Sequence, residues 1–431
     1  MTQSVTLLWL CFLAATWLVL SPSVLGGEML DDARRRVLYC IVRDPLFWIL
    51  AVILLVAGLR ALNSGIGVSF NYETAEWTIL PPSMPFLPGS FGSFGFLPFV
   101  AVLSAFIVVL GCRHALGKSA RKMFLLLLSV FSGIAAFIAL FLLGSGDATV
   151  AAAVSAAPER FSNPGVGFAI CFLCSTTALF AAMEQDWGKS APLLFGAAGG
   201  NAAAAFVFLP PCEAIAFALA YVVLLAFSGL FGWRCLKGGR GVTALLVVLF
   251  SIVLSCGAVN MSMPDDALDD KLSSYAFNAS EKEESADVRG VLSDVAFKVW
   301  PEHPWTGVGV GAFQFYPRFY LTEEKRDVLP RVVKAVPNGW WQLLVERGIV
   351  GAVMVVLPLL FLLFSWFHGA IRCVRAGIAT GSAAALAPLA LVAVAFSAFY
   401  SASMLRAEVL TLSGAIMVVS AKAFPKGDSN G

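Results

Sequence analysis

Charged residues are scarce in this sequence, and histidine is scarcer still. Of the 431 residues, 13% are charged, 59% are hydrophobic and three are histidine. A soluble globular domain is roughly 25% charged, so the composition excludes that class and predicts a polytopic membrane protein. Nucleic acid binding has no footprint in the sequence, and a nucleic acid partner is not expected.

Cysteines are absent from the long polar segment at residues 261–338. All nine lie in or beside apolar runs, so no disulfide framework is expected. Cys171 and Cys174 form a CxxC pair, but no second pair or histidine lies nearby in the sequence. The pair is therefore more typical of small side chains in a helix than of a zinc or redox site.

Eleven apolar runs have about the 20 residues that a bilayer requires. The first is interpreted as a retained helix, because MTQS lacks a positive side chain and Gly26-Gly27 is a weak cleavage site. The fold class is thus an all-α polytopic membrane protein with about 11 (10–12) transmembrane helices. The runs lie near residues 5–25, 45–63, 94–112, 123–143, 164–183, 190–209, 214–233, 242–260, 339–367, 378–400 and 404–421.

Lysine and arginine are divided unevenly between the two sets of loops. The short loops of one set hold only Arg160 and Arg406. The other set is therefore cytoplasmic together with the C-terminus, and one large external loop precedes the third-last span. The predicted domains are N-terminal membrane helices at 1–260, the loop at 261–338 and C-terminal membrane helices at 339–431. The cytoplasmic set contains Arg34, Arg35, Arg36, Arg43, Arg113, Lys118, Arg121, Lys122, Lys189, Arg234, Lys237, Arg240, Arg372, Arg375, Lys422 and Lys426.

Two segments before the large loop have distinctive compositions. Residues 64–93 are rich in proline and aromatic residues, which favours a rigid interfacial loop. Alanine and glycine crowd residues 196–205 and allow close contact between helices. Asn201 within that run favours an interhelical hydrogen bond over a ligand role.

The external loop begins with polar signals. The acidic stretch at residues 265–270 lacks EF-hand spacing, so a solvated loop is favoured over a cation site. Ser280 and Glu283 then form a capping box. Apolar residues at helical spacing predict an amphipathic helix over residues 281–300 that lies on the membrane surface and carries Arg289.

Pro301 and Pro304 end that helix, and three closely spaced glycines follow. Gly307, Gly309 and Gly311 permit a turn whose backbone N–H groups approach an anion, although a purely structural turn is equally consistent.

Further along, the polar residues of the loop leave two more functions open. His303 suits proton transfer or a surface position. The charge-rich segment from Arg318 to Lys334 fits either a cationic pocket for pyrophosphate or lipid headgroups, or a solvated helix.

The next membrane helix carries a polar stripe. Asn338 is a suitable N-cap, and it shares one helical face with Gln342 and Glu346 at spacings of four residues. Glu346 and Arg347 lie in the outer part of the span, where charge is costly unless it faces protein or a water-filled cavity. A functional role is favoured over structural pairing for these two residues.

The segment 289–351 resembles the O-antigen ligase and O-antigen polymerase superfamily. It contains HPWTGVGVGAF at 303–313 and NGWWQLLVERGIVG at 338–351. Members typically show an arginine-bearing helix, a P-x-x-G-x-G-x-G-x-F turn and H-N-x-x-L-Q-x-x-x-E-x-G-x-x-G entering a membrane helix.

The resemblance implies a metal-independent glycosyltransferase without a cofactor. Such proteins take an undecaprenyl-diphosphate-linked glycan as donor on the outer, periplasmic face of the bacterial inner membrane. The acceptor is a glycan, a lipid or a protein, and membrane lipids surround the chain. By the resemblance, Arg289 touches the donor diphosphate. The remaining expected substrate-binding residues are Gly307, Gly309, Gly311, Arg318, Asn338, Gln342 and Arg347.

One position departs from the family pattern. The family places a histidine thought to activate the acceptor just before the position of Asn338, and this chain has Pro337. Attack by a sugar hydroxyl needs a base, which His303, Glu302 or Glu346 would have to supply. His303 and Glu346 are the predicted catalytic residues.

The sequence therefore predicts an inner-membrane glycan ligase or polymerase of cell-surface polysaccharide assembly, such as that of the O-antigen of lipopolysaccharide. Two alternatives remain. Pro337 favours a non-catalytic relative that binds lipid-linked glycan. A solute transporter would show repeated halves and midplane polar residues, whereas the sequence contains neither a repeat nor more than isolated intramembrane charges.

Overall fold

A computed structural model describes part of the chain, including several long apolar helices and part of the large loop. The described residues are 35, 38–71, 76–80, 82–84, 89–91, 96–114, 118–145, 164–184, 190–209, 217–218, 240–262, 290–321, 336, 338–375, 388, 392, 395, 398 and 413–419. The predicted spans near 5–25, 214–233, 378–400 and 404–421 lie wholly or largely outside them, as do the acidic stretch at 265–270, the capping box, Arg289 and Pro337.

The chain divides into two compact units. The first comprises the described parts of Met1–Ala115 and Ser280–Phe361, and the second those of Leu116–Ala279, Leu362–Met404 and Leu412–Gly431. Five described helices are long and apolar enough to cross a membrane. The helices at the predicted spans 94–112 and 242–260 contain shorter apolar stretches.

In the first unit, helix α1 (Pro45–Leu62) packs beside α2 (Phe96–His114). Asp44 caps α1, since its carboxylate accepts a hydrogen bond from the Leu46 amide, and Pro45 has the φ that a first helical turn requires. The buried Asp44 carboxylate also pairs with Arg113 and His114 at the end of α2, at 2.5 Å and 2.8 Å. The two helices are therefore joined at the start of α1 and the end of α2.

A small sheet occupies the segment predicted as a rigid loop. Strands β1 (Ser64–Asn71) and β2 (Glu76–Leu80) are antiparallel, and β3 (Ser90–Phe91) lies parallel to the other edge of β1. The all-α prediction missed this sheet. The apolar residues Ile66, Val68 and Phe70 alternate as in a strand. The prolines that follow them favoured the prediction of a loop instead.

The second unit contains α3 (Lys118–Gly144), α4 (Pro164–Glu184), α5 (Ala191–Phe208) and α6 (Arg240–Ser262). Asn201 donates hydrogen bonds to Ser132 on α3 and Ser175 on α4, at 2.9 Å and 3.1 Å, which confirms the predicted interhelical role. A Cβ on Gly133 would lie 2.7 Å from the Cβ of Ala197, so the small residues do allow close approach. Cys171 and Cys174 are buried free thiols within α4.

The described loop segment of the first unit, residues 290–321, packs around one apolar core. Residues 290–299 form helix α7, and Leu292, Val295 and Val299 are buried, which confirms the predicted helical spacing. These side chains pack against the protein itself, including Phe313 and Val345. A 3₁₀ turn at Trp300–Glu302 follows, then the glycine turn, the 3₁₀ turn Phe313–Phe315 and the short helix α8 (Pro317–Tyr320).

The last long helix, α9 (Gly339–Arg375), begins at the predicted N-cap. The Asn338 side-chain oxygen accepts hydrogen bonds from the amides of Trp340 and Trp341, at 2.9 Å and 3.2 Å, which confirms the cap. The helix is not continuous, because Gly348 has non-helical backbone angles.

Candidate functional site

The interruption of α9 at Gly348 is the centre of the candidate site. Gly348 has φ 65° and ψ −174°, a conformation that is essentially limited to glycine. A break inside a membrane helix leaves backbone N–H and C=O groups without their usual partners, and these must be satisfied by other protein groups. The residues on either side of the break therefore depend on the neighbouring loop.

The glycine turn supplies those missing partners in both directions. The amides of Val308 and Gly309 donate to the carbonyls of Val345 and Glu346, at 2.8 Å and 3.1 Å. In return, the amide of Ile349 donates to the carbonyl of Pro304 at 2.8 Å, and that of Val350 to the carbonyl of Trp305 at 3.2 Å. The turn is thus inserted into the hydrogen-bond ladder of the interrupted helix.

Close approach of the two backbones requires glycine on both sides. A Cβ on Gly307 would lie 2.4 Å from the carbonyl carbon of Glu346, and a Cβ on Gly348 would lie 2.3 Å from the carbonyl oxygen of Trp305. Both residues also have positive φ. The glycine spacing that suggested a phosphate cradle therefore serves helix-to-turn contact in this structure.

Glu346 is buried at the same junction. Its Oε1 accepts a hydrogen bond from the Gly311 amide at 2.9 Å, and only 8% of the residue is exposed. The Gly307 amide donates to the His303 carbonyl at 3.0 Å. The amides of all three turn glycines thus donate to protein acceptors.

The polar side chains along one face of α9 accept hydrogen bonds from backbone amides of the helix start and of the loop. Gln342 accepts a hydrogen bond from the Val336 amide at 2.6 Å, one turn after the Asn338 cap and one turn before Glu346. Each of the three side chains therefore accepts from a backbone N–H, two of them in the preceding loop.

Arg60, near the end of α1, also contributes to the site. The sequence predicted this residue only as part of an apolar span. Its Nη2 donates to the carbonyl of Arg347 at 3.1 Å and lies 3.4 Å from the carbonyl oxygen of Thr306. Arg60 is 6% exposed. The available signal was an arginine near the end of an apolar run, where an unpaired charge would be costly.

Arg60 and Arg347 both line an open groove in the first unit. The groove extends about 10 Å beyond the two arginines, as estimated from a helical rise of 1.5 Å per residue. It follows α1 from Arg60 back to Ile53 and α9 from Arg347 on to Val355. Its other walls are apolar or carry no polar side chain. They comprise Ile53, Val56, Ala57, Pro98, Val102, Val310, Gly351, Met354 and Val355.

His303 and Glu302 lie on the outer side of the turn. Both are exposed, and the tyrosine hydroxyl of Tyr320 donates to the Glu302 carboxylate. Burial, aided by the charge of Glu302, raises the pKa of Tyr316 to about 12. Burial and the hydrogen bond to Glu302 also raise the pKa of Tyr320. Both tyrosines are therefore neutral phenols near pH 7 and unsuited to act as bases.

The structure thus brings together many of the predicted site residues through direct contacts. Gly307, Gly309, Gly311 and Glu346 meet at the break, Arg347 faces the groove, and His303 joins them through its carbonyl. Arg318 is an exposed residue of α8. Arg289 and Pro337 lie outside the described residues.

The arrangement offers two arginines, Arg60 and Arg347, at one end of an apolar groove, and the Glu346 carboxylate at the adjacent helix break. Guanidinium groups pair well with phosphate oxygens, and a buried carboxylate can accept a proton. The combination suits a ligand with an anionic head and an apolar chain.

Comparison with known proteins finds one family that part of the chain resembles. Residues 214–356 match the sequence model of the O-antigen ligase family. The matched segment contains the glycine turn, the polar stripe and the break at Gly348. No curated protein matches the chain. Through this segment the chain is similar to the O-antigen ligase family, the resemblance that the sequence motifs had indicated.

Proposed function

We propose that the protein transfers a glycan from a polyprenyl-diphosphate-linked donor to an acceptor hydroxyl during assembly of a cell-surface polysaccharide. The observation that carries the proposal is the groove of the first unit, with Arg60 and Arg347 at one end and apolar walls beyond. A lipid diphosphate has the matching chemistry, because its head is anionic and its chain is apolar. The O-antigen ligase match supports the same class of activity.

The arginines would act on the leaving group. The acceptor oxygen bonds to the anomeric carbon of the donor, and the bond from that carbon to the phosphate oxygen breaks. The electron pair of that bond stays with the polyprenyl diphosphate, which leaves. A guanidinium group beside the diphosphate lowers the free energy of the negative charge that develops there. Arg347, which lines the groove, is our first candidate for this role, and Arg289 and Arg318 are further candidates from the loop.

A base must take the proton of the acceptor hydroxyl. Glu346 is our first choice, because it directly precedes Arg347 and the Gly311 amide holds its carboxylate. His303 is second, because it is exposed and joins the turn through its backbone. Asn338, Gln342 and the turn glycines would then support the site by fixing the loop against α9.

We propose that the reaction takes place on the periplasmic face of a bacterial inner membrane. The distribution of lysine and arginine among the loops predicts that the large loop lies on that side and that the C-terminus lies in the cytoplasm. The acceptor distinguishes the two family activities, since a polymerase extends a glycan and a ligase attaches the glycan to a lipid or a protein.

Deletion of the gene in its host tests the proposal. Lipid-linked glycan should then accumulate, as measured by mass spectrometry of the extracted lipids. A wild-type copy should reverse the accumulation, whereas an Arg347→Gln copy at equal membrane abundance should not. Normal consumption of lipid-linked glycan in the deletion strain would overturn the proposal.

A second candidate function is binding of lipid-linked glycan without transfer. Pro337 favours it, because proline supplies no base at the position where the family has a histidine. The purified protein would then bind the donor lipid but release no polyprenyl diphosphate in the presence of acceptor. Release of that product would exclude the second candidate.

A further inference from the structure

Arg60 is a buried guanidinium that hydrogen-bonds backbone at the helix break. Its Nη2 donates to the Arg347 carbonyl and lies near that of Thr306, whereas its Nε has no partner among the described residues. A buried cation is costly, and a carbonyl at a helix interruption needs a donor. The contact therefore gives the Arg347 carbonyl a donor and gives the Arg60 guanidinium an acceptor.

The two carbonyls belong to different parts of the junction. Arg347 is the last residue before the break at Gly348, and Thr306 lies in the segment that supplies the missing hydrogen bonds. Arg60 therefore reaches the broken helix and the inserted turn from a third element.

The end of α1 that carries Arg60 is itself well anchored. The Arg60 carbonyl accepts a hydrogen bond from the Ser90 hydroxyl at 3.0 Å. The Asn63 side chain accepts from the Met84 amide and donates to the Met84 carbonyl, at 2.8 Å and 2.9 Å. Ser90 in turn bridges to Val310 of the glycine turn. Because the backbone at Arg60 is held in this way, its long side chain can hold other groups in place.

We infer that Arg60 is a positioning residue, which fixes the interrupted end of α9 and thereby the side chains of Glu346 and Arg347. This role concerns the geometry of the junction. Only its catalytic consequence rests on the proposed function.

Hydrogen exchange measured by mass spectrometry on the full-length protein in nanodiscs tests the inference. Arg60→Met keeps an apolar stem but removes every donor. It should speed exchange in peptides covering residues 308–311 and 349–350 about tenfold, since one hydrogen bond from a charged group is lost. Arg60→Lys, which keeps a cationic donor, should show a smaller increase. Arg43→Met, which removes an exposed arginine of the same unit, should show none.

Unchanged exchange of these peptides in Arg60→Met would overturn the inference. An equal increase in α4 and α5 would overturn it as well, because it would indicate general destabilisation. In a transfer assay, the rate per folded molecule should fall at least about tenfold in Arg60→Met and recover partly in Arg60→Lys. If the wild type transfers no glycan, the proposed function fails, and the exchange measurement still decides the role of Arg60.

Discussion

The backbone amide of Gly311 donates a hydrogen bond to Oε1 of Glu346 at 2.9 Å. The bond joins the last glycine of the glycine turn to a carboxylate in α9, a helix that is long and apolar enough to cross a membrane. It places a buried charge beside a helix break, where the neighbouring carbonyls also accept hydrogen bonds from the turn. The Glu346 carboxyl group therefore both supports the fold and is a candidate catalytic base. Substitutions of this residue can distinguish the two roles.

Substitution of Glu346 by glutamine should separate the two roles. In Glu346→Gln, the amide oxygen still accepts from Gly311, so the fold should be kept while the base is lost. Transfer should fall about 10²- to 10⁴-fold, the usual contribution of a general base. In Glu346→Ala, the partly buried Gly311 amide loses its acceptor, which should also lower the free energy of unfolding by about 1 kcal/mol. Transfer by Glu346→Gln at the wild-type rate would exclude Glu346 as the base.

Substitution of Gly348 by alanine should disrupt the junction. Its backbone conformation costs a non-glycine residue roughly 1–3 kcal/mol, and the added Cβ would meet the Trp305 carbonyl at 2.3 Å. The variant should unfold at a lower temperature and lose transfer. The matched control is Gly290→Ala in α7, where a Cβ meets no atom within 4 Å. Equal thermal stability of the two variants would contradict this account of the break.

Gly351 tests the position of Arg347. A Cβ on Gly351 would lie 2.3 Å from the Cβ of Arg347. Because that Cβ is fixed to the backbone, Gly351→Ala should shift the backbone of α9 at Arg347, lower the unfolding temperature and weaken binding of a polyprenyl diphosphate about tenfold. Gly111→Ala in α2, where a Cβ has open space, is the control and should bind like the wild type. Unchanged affinity in Gly351→Ala would show that Arg347 does not contact the lipid diphosphate.

The buried ion pair of Asp44 should be a structural element separate from the site. Asp44→Ala removes the helix cap and leaves Arg113 and His114 without their carboxylate, so it should destabilise the protein by about 3–5 kcal/mol. Asp44→Asn keeps a cap acceptor and should be less destabilising. Thermal unfolding in nanodiscs measures the difference. An Asp44→Ala variant as stable as the wild type would contradict the pairing.

Sequence patterns predicted the helical part of the fold well, since each pattern had one physical cause. Apolar length located α1, α3, α4, α5 and α9, and alanine and glycine near Asn201 indicated close packing. The sheet was missed because β1 lies beside a proline-rich segment and β3 has only two residues. Strand pairing depends on contacts distant in sequence, such as Ser90 with Val310.

The sequence indicated several residues of the candidate site but not the contacts between them. Glu346 and Arg347 stood out as charges in an apolar helix, and the family resemblance added the glycines. The sequence did not indicate that the glycine turn repairs a broken helix. The backbone hydrogen bonds join residues 37 to 45 positions apart, so no local pattern reports them. Arg60 was missed because its partner, the Arg347 carbonyl, is 287 positions away.

The most direct test of the central claim is the release of polyprenyl diphosphate by the purified, reconstituted protein supplied with lipid-linked glycan and acceptor. Wild-type protein should release the lipid diphosphate in equal amount to the glycan transferred. Arg347→Gln should lower the rate at least about 10²-fold, since a charge opposite the leaving group is removed. Absence of release by the wild type, or an undiminished rate in Arg347→Gln, would contradict the account.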